Sequence, residues 1–157
     1  MCPNKGFIRK GVIHLTAAER LINYLHAGPK TAVAVHDPSN MFYLTEGYTG
    51  EGLVYISEAS RVIITDFRYT EQAERQAPGF RVEMTETGRN HNRVLSELVK
   101  AEEITELRVE TNWLSVDAFE DLRSAVGEEV SCVPLKGTPQ LLRQARKAET
   151  ASSPTKR

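Results

Sequence analysis

Two short β-branched runs, Leu53–Ser57 (LVYIS) and Arg61–Thr65 (RVIIT), are separated only by Glu58-Ala59-Ser60. Runs of that kind joined by so brief a polar break predict a hairpin, which forces an antiparallel pair into whatever sheet the chain builds. Upstream, Thr31–Val35 (TAVAV) is apolar without alternation, the pattern of a strand covered on both faces. Downstream, strand-like runs at Phe80–Met84, Leu107–Val109 and Glu129–Val133 alternate with helical segments, which favours parallel neighbours joined by right-handed crossovers. The combination predicts an α/β fold: a mixed sheet flanked by helices.

The helices are read from periodicity and punctuation. Thr16 with Glu19 forms a capping-box pattern, and Ala18, Leu21, Ile22 and Leu25 then share one helical face until Gly28-Pro29. Ser39 or Asn40 is expected to cap a single turn carrying Met41, Phe42 and Leu44. Tyr69, Ala73 and Ala77 share a face after the hairpin, with Asp66 expected as that helix's cap and Glu71 placed to pair with Arg75. Val94, Leu95 and Leu98 mark a helix over about 90–100. Ser115 starts another that stops at Gly127. Thr138 as cap and Pro139 at the first position open the last helix. Residues 1–15 read as an extension with no pattern beyond Val12-Ile13. Residues 16–136 read as the domain, 137–150 as a connecting helix and 151–157 as a polar tail.

Composition excludes several classes of function. A length of 157 residues suits one domain. A formal net charge of −1 gives no general attraction to nucleic acid or anionic lipid. No apolar run reaches the roughly 18 residues that span a bilayer, and no signal-peptide core follows the first residues. Cys2 and Cys132 alone cannot make a disulfide framework or a zinc knuckle, and Cys132 reads as a buried small hydrophobe. A cytoplasmic protein without nucleic-acid or membrane partners is the expectation.

No catalytic constellation emerges. The histidines, His14, His26, His36 and His91, fall on separate elements with no H-E-x-x-H spacing, so solvated or capping roles are expected in place of a metal site. No G-x-S-x-G elbow occurs. Gly47, Gly50 and Gly52 lack the G-K-[ST] ending of a phosphate loop and lead into a strand, so they read as glycines that let an aromatic loop turn tightly. Neither catalytic residues nor metal ligands are assigned.

The order Tyr43-Leu44-Thr45, Gly47-Tyr48-Thr49-Gly50, hairpin, Asp66, Arg68-Tyr69, Glu71-Gln72-Ala73 and Ala77-Pro78-Gly79-Phe80 resembles the amino-terminal domain of the creatinase/prolidase/aminopeptidase P superfamily, from about Thr16 to about Ala148. Glu46 departs from the pattern, in which Tyr-Leu-Thr-Gly commonly runs on directly. The resemblance implies a six-stranded mixed sheet with ribonuclease H-like topology. It also implies that cleavage of Xaa-Pro peptides, with two divalent metal ions, belongs to a separate carboxy-terminal domain.

This chain is then expected to be non-catalytic and cofactor-free, shaping a substrate cleft and supporting oligomer assembly. The alternative is a stand-alone binding or regulatory module that has lost the peptidase domain. Partners are expected to be further copies of the chain, a catalytic domain or a peptide. By position in the resemblance, Tyr48, Arg68 and Tyr69 are the candidates for substrate or partner contact: arginine to pair with a carboxylate, tyrosines to supply stiff contact area. The other reading of the pair puts Arg68 in an intramolecular ion pair and Tyr69 under its own helix.

Overall fold

In the computed structural model, residues 7–9 and 12–151 are described, with side-chain surroundings for 15–145. The chain runs β1 (Phe7–Arg9), β2 (Val12–His14), α1 (Ala17–Leu25), β3 (Thr31–Val35), α2 (Pro38–Thr45), β4 (Leu53–Ser57) and β5 (Arg61–Thr65). It continues through α3 (Thr70–Gln76), β6 (Arg81–Met84), α4 (His91–Ala101), β7 (Glu106–Val109), α5 (Val116–Val126), β8 (Ser131–Pro134) and α6 (Thr138–Ala151). Six strands form one sheet in the order β6-β5-β4-β3-β7-β8, and β1 with β2 makes a separate antiparallel pair. Within the large sheet only β4 is reversed; every other neighbouring pair is parallel. The hairpin turn closes where Ser57 N–H donates to the Ser60 carbonyl at 2.8 Å. The carboxyl ends of β3, β5, β6, β7 and β8 therefore lie along one edge of the sheet, with the start of β4 among them.

Period-two alternation sorts the strand side chains into two cores. Val33, Val35, Val54, Ile56 and Ile63 cluster with Leu21 of α1, Met41 and Leu44 of α2 and Ala73 of α3. On the opposite face Leu53, Tyr55, Val62, Ile64, Leu107 and Val109 cluster with Val94 and Leu95 of α4 and Leu122 of α5. The result is a three-layer sandwich. β3 is buried on both faces, as its unbroken apolar run predicts, whereas β7 alternates buried Leu107 and Val109 with half-buried Glu106 and Arg108.

The capping box at α1 forms: Glu19 N–H donates to Thr16 Oγ1 at 3.1 Å, and Thr16 N–H donates to Glu19 Oε1 at 3.0 Å. Glu19 also meets Arg61 at 3.3 Å and so ties α1 to β5. Elsewhere the structure corrects the sequence reading. α2 is an eight-residue helix, not a single turn, because Asp37 caps it through Ser39 N–H (2.9 Å) and Pro38 presets the first φ. Asp66 does not cap α3; the N-cap is Tyr69, which makes no side-chain capping bond. Glu71 and Arg75, both exposed, make no ion pair among the described residues. Thr138 is the first helical residue of α6 and donates its hydroxyl to the Leu135 carbonyl at 3.0 Å. The β1–β2 pair was not legible at all, since three-residue strands are too short for a period to show. Cys132 is a free, half-buried thiol; Cys2 and the tail beyond Ala151 lie outside the described residues.

Candidate functional site at the carboxyl edge of the sheet

In open α/β sheets the loops beyond the carboxyl ends of the parallel strands leave a crevice suited to ligands. Here that edge is fixed by one carboxylate. Glu110, immediately after β7, has no exposed surface. Its Oε1 accepts from the backbone N–H groups of His36 and Asp37, each at 2.8 Å. Its Oε2 accepts a short bond from the Asn40 side-chain amide. Asn40 Oδ1 in turn accepts from Arg143 Nε at 3.0 Å, so a buried polar chain runs from β7 through the start of α2 to α6. A carboxylate belongs there on electrostatic grounds, because the start of α2 presents free amides and the positive end of the helix dipole.

Beside this chain lies a crevice of about 390 Å³, between the ends of β3 and β5, the start of β4 and the helices α4 and α5. His36, His91, Asp66 and Asp121 are among its lining residues, together with Glu51 and Arg68. Burial, helped by nearby His91, pushes the His36 imidazole down to about 4. Burial likewise lowers His91, with Asp66 pulling the other way. Both imidazoles are therefore neutral at pH 7, and His36 Nδ1 is buried without a hydrogen-bond partner.

The three residues singled out by the sequence fall in different places. Arg68 is exposed at the crevice and committed to Asp66, with Nη2 to Oδ2 at 2.8 Å and Nε to Oδ1 at 3.1 Å. It also lies 3.6 Å from the Glu51 carboxylate and 5.2 Å over the Tyr69 ring centroid. The side-chain bond from Arg68 holds the Asp66 carboxyl below the usual carboxylate range. Tyr69 is half-buried and packs against the core shared with α3. Tyr48 is fully buried, which removes it from any contact surface in this structure. Its hydroxyl donates to the Glu51 carbonyl at 2.6 Å and lies 3.2 Å from Thr65 Oγ1, so it pins the glycine loop to the end of β5. Gly50 packs on the Tyr48 ring, and Gly52, at φ +126°, sits against the Ile64 carbonyl; both are glycines because a Cβ has no room. The loop thus feeds β4, its glycines set by close packing. Glu46, the departure from the family pattern, ends α2 in the left-handed conformation and accepts from Ala17 N–H at 2.7 Å.

Sequence reasoning missed that His36, His91 and Asp121 line one crevice and that Glu110 accepts from the His36 amide, since the four come from different elements. One signal was present: Asp37-Pro38 marks a helix start right after β3, and such a start calls for an acidic partner. Among the described residues no group of three His, Cys, Asp or Glu side chains is arranged to hold a metal ion. No helix among them is long and apolar enough to cross a membrane.

Together these features define a three-layer α/β domain whose chemistry-bearing edge is a polar crevice braced by a buried carboxylate. The chain belongs to the Creatinase/Prolidase N-terminal domain family, whose model matches residues 18–147. It is 35% identical over 112 residues to the uncharacterized peptidase YqhT of Bacillus subtilis (strain 168), covering 71% of this chain and 31% of that protein. The chain thus spans about a third of its curated relative's length.

Among solved structures it is similar to an Xaa-Pro aminopeptidase from Streptococcus pyogenes, with a TM-score of 0.69 and 26% identity over 81% of this chain and 92% of that one. It is also similar to the N-terminal domain of the cytoplasmic peptidase PepQ from Mycobacterium tuberculosis H37Rv, with a TM-score of 0.67 and 26% identity, covering 81% and 95% of the two chains. The six-stranded mixed sheet implied by the sequence resemblance is the sheet observed.

Proposed function

We propose that this 157-residue polypeptide is a non-catalytic, cytoplasmic contact domain of an Xaa-Pro peptidase-like protein, one that shapes a substrate cleft and supports assembly with further copies or with a catalytic domain. The observation that carries the reading is the composition of the carboxyl edge. Two of its charged groups are tied within the chain, Arg68 to Asp66 and Glu110 to two backbone amides and Asn40. Such pairs fix the shape of an edge, and the groups they hold are committed to structure. Cleavage in the parent family rests on two divalent metal ions, and the described side chains offer no cluster to hold one. In this reading those ions and the hydrolytic water belong to a different domain.

Exposed apolar side chains on α1, α2 and α6, across the sheet from α4 and α5, support the contact role: Tyr24 is 56%, Phe42 50% and Leu141 57% exposed, and a surface of that kind is commonly covered in an assembly. Light scattering across a wide concentration range tests the assembly part. Self-association that rises with concentration is expected, and a strict monomer at the highest concentration contradicts it. The name of the PepQ relative supports the cytoplasmic placement.

A further inference from the structure

The carboxyl edge combines two properties that point to one kind of partner. Around the crevice stand apolar side chains that are exposed among the described residues. Phe67 lies between the lining residues Asp66 and Arg68, and Trp113 precedes the lining residue Leu114. Val116 opens α5, and Met84, 39% exposed, pairs in register with Thr65 next to Asp66. Inside this collar the charges are unbalanced. Glu51, Asp66 and Asp121 supply three carboxylates against the single guanidinium of Arg68, which leaves two negative charges while His36 and His91 stay neutral. Glu51 and Asp121 are exposed, and Asp121 has no ion-pair partner among the described residues.

We infer that the carboxyl edge is a docking surface for a peptide segment that carries an arginine or lysine between apolar residues, the cation entering the crevice toward Asp121 and Glu51 and the flanks covering Trp113 and Phe67. An acidic segment is repelled by the same two charges, and a wholly apolar one leaves them desolvated and unpaired. An occupant that brings positive charge into the crevice and apolar side chains to its margin is what two net negatives and an apolar collar select. The inference deepens the contact role proposed above by naming the partner's chemistry. Its failure would leave the self-association result untouched, because the peptides are added to chain held at one fixed concentration.

Trp113, the chain's one tryptophan, reports occupancy directly. The protein is titrated with acetyl-Leu-Arg-Leu-amide, with the citrulline peptide as its uncharged isostere and with the glutamate peptide. Amide shifts of His91 and Asn92 are followed in parallel to place the peptide at the crevice. The expected result is a saturable blue shift of Trp113 emission for the arginine peptide, weaker binding of the citrulline peptide and none of the glutamate peptide. The double substitution Glu51→Gln, Asp121→Asn removes two exposed carboxylates and is expected to weaken the arginine peptide by about three- to tenfold, as two surface ion pairs warrant. Equal binding of the three peptides overturns the inference, as does an unchanged affinity in the doubly substituted protein. A Trp113 shift produced by raising the concentration of the chain alone makes a second copy the occupant and also overturns it.

Discussion

Glu110→Gln is the perturbation that separates a carboxylate chosen for its charge from one chosen only for its shape. In the native chain one oxygen takes two backbone N–H groups at 2.8 Å and the other takes the Asn40 amide. Glutamine keeps the volume but replaces one oxygen with an NH2 group. With its carbonyl toward the backbone donors, that NH2 faces the NH2 of Asn40. If Asn40 turns its amide over, the clash of donors moves outward to Arg143 Nε, which can swing to solvent from its half-buried position.

The cost is then the loss of charge assistance on two bonds plus the release of α6 from Asn40, about 2 kcal/mol in all. Glu110→Ala leaves two helix-start amides and the Asn40 amide unpaired in a dry site, and about 4 kcal/mol is expected. For a chain of 157 residues each kcal/mol corresponds to roughly 2–4 °C, so Tm should fall by about 4–8 °C for glutamine and about twice that for alanine. Thermal and urea unfolding of both variants measure it. Arg143→Met, acting through the same Asn40, should be less than additive with Glu110→Gln. A glutamine variant within about 0.5 kcal/mol of the parent, or one less stable than alanine, would refute the charge argument.

Gly52→Ala should destabilise by about 2 kcal/mol or more, because the new Cβ runs into the Ile64 carbonyl at a positive φ, and urea midpoints read the loss. Tyr48→Phe removes one hydroxyl with partners on the glycine loop and β5 and should cost about 1 kcal/mol while leaving the fold intact by circular dichroism. His36 gives a pH signature. Its folded-state value of about 4 lies below the ordinary 6.5, so the unfolded chain takes up the proton first. Its contribution is fully present above about pH 6.5 and is lost as pH falls toward 4, by up to about 3 kcal/mol. His36→Gln should flatten the urea-midpoint profile between pH 7 and 4.5, and an unchanged slope there would remove the assignment.

Much of the fold was legible because its signals are local. The hairpin, the doubly covered β3, the capping box at Thr16 and the serine cap of α5 each depend on residues within a few positions of one another. The α2 boundary failed for a reason visible afterwards, since Asp37-Pro38 outweighs Ser39 and Asn40 as a helix start, and Asn40 is recruited sideways to Glu110. The candidate site was harder to read. Arg68 and Tyr69 were singled out through the resemblance; Arg68 lines the crevice, whereas Tyr69 packs against the core with the Arg68 guanidinium over its ring. Tyr48 reads as a loop aromatic in sequence, yet its hydroxyl is the pin of the loop, and burial of that kind is decided by tertiary contacts. His36, His91 and Asp121 line one crevice, and Glu110 accepts from the His36 amide, because β3, β5, β6 and β7 run parallel and bring distant loops to one edge.

The most direct measurement is turnover of Xaa-Pro dipeptides by the repurified chain, with and without added manganese. No hydrolysis above the buffer rate in either condition is expected of a domain that leaves bond cleavage to a metal-bearing neighbour. Hydrolysis that co-elutes with this chain through a second purification and disappears on chelation would contradict it.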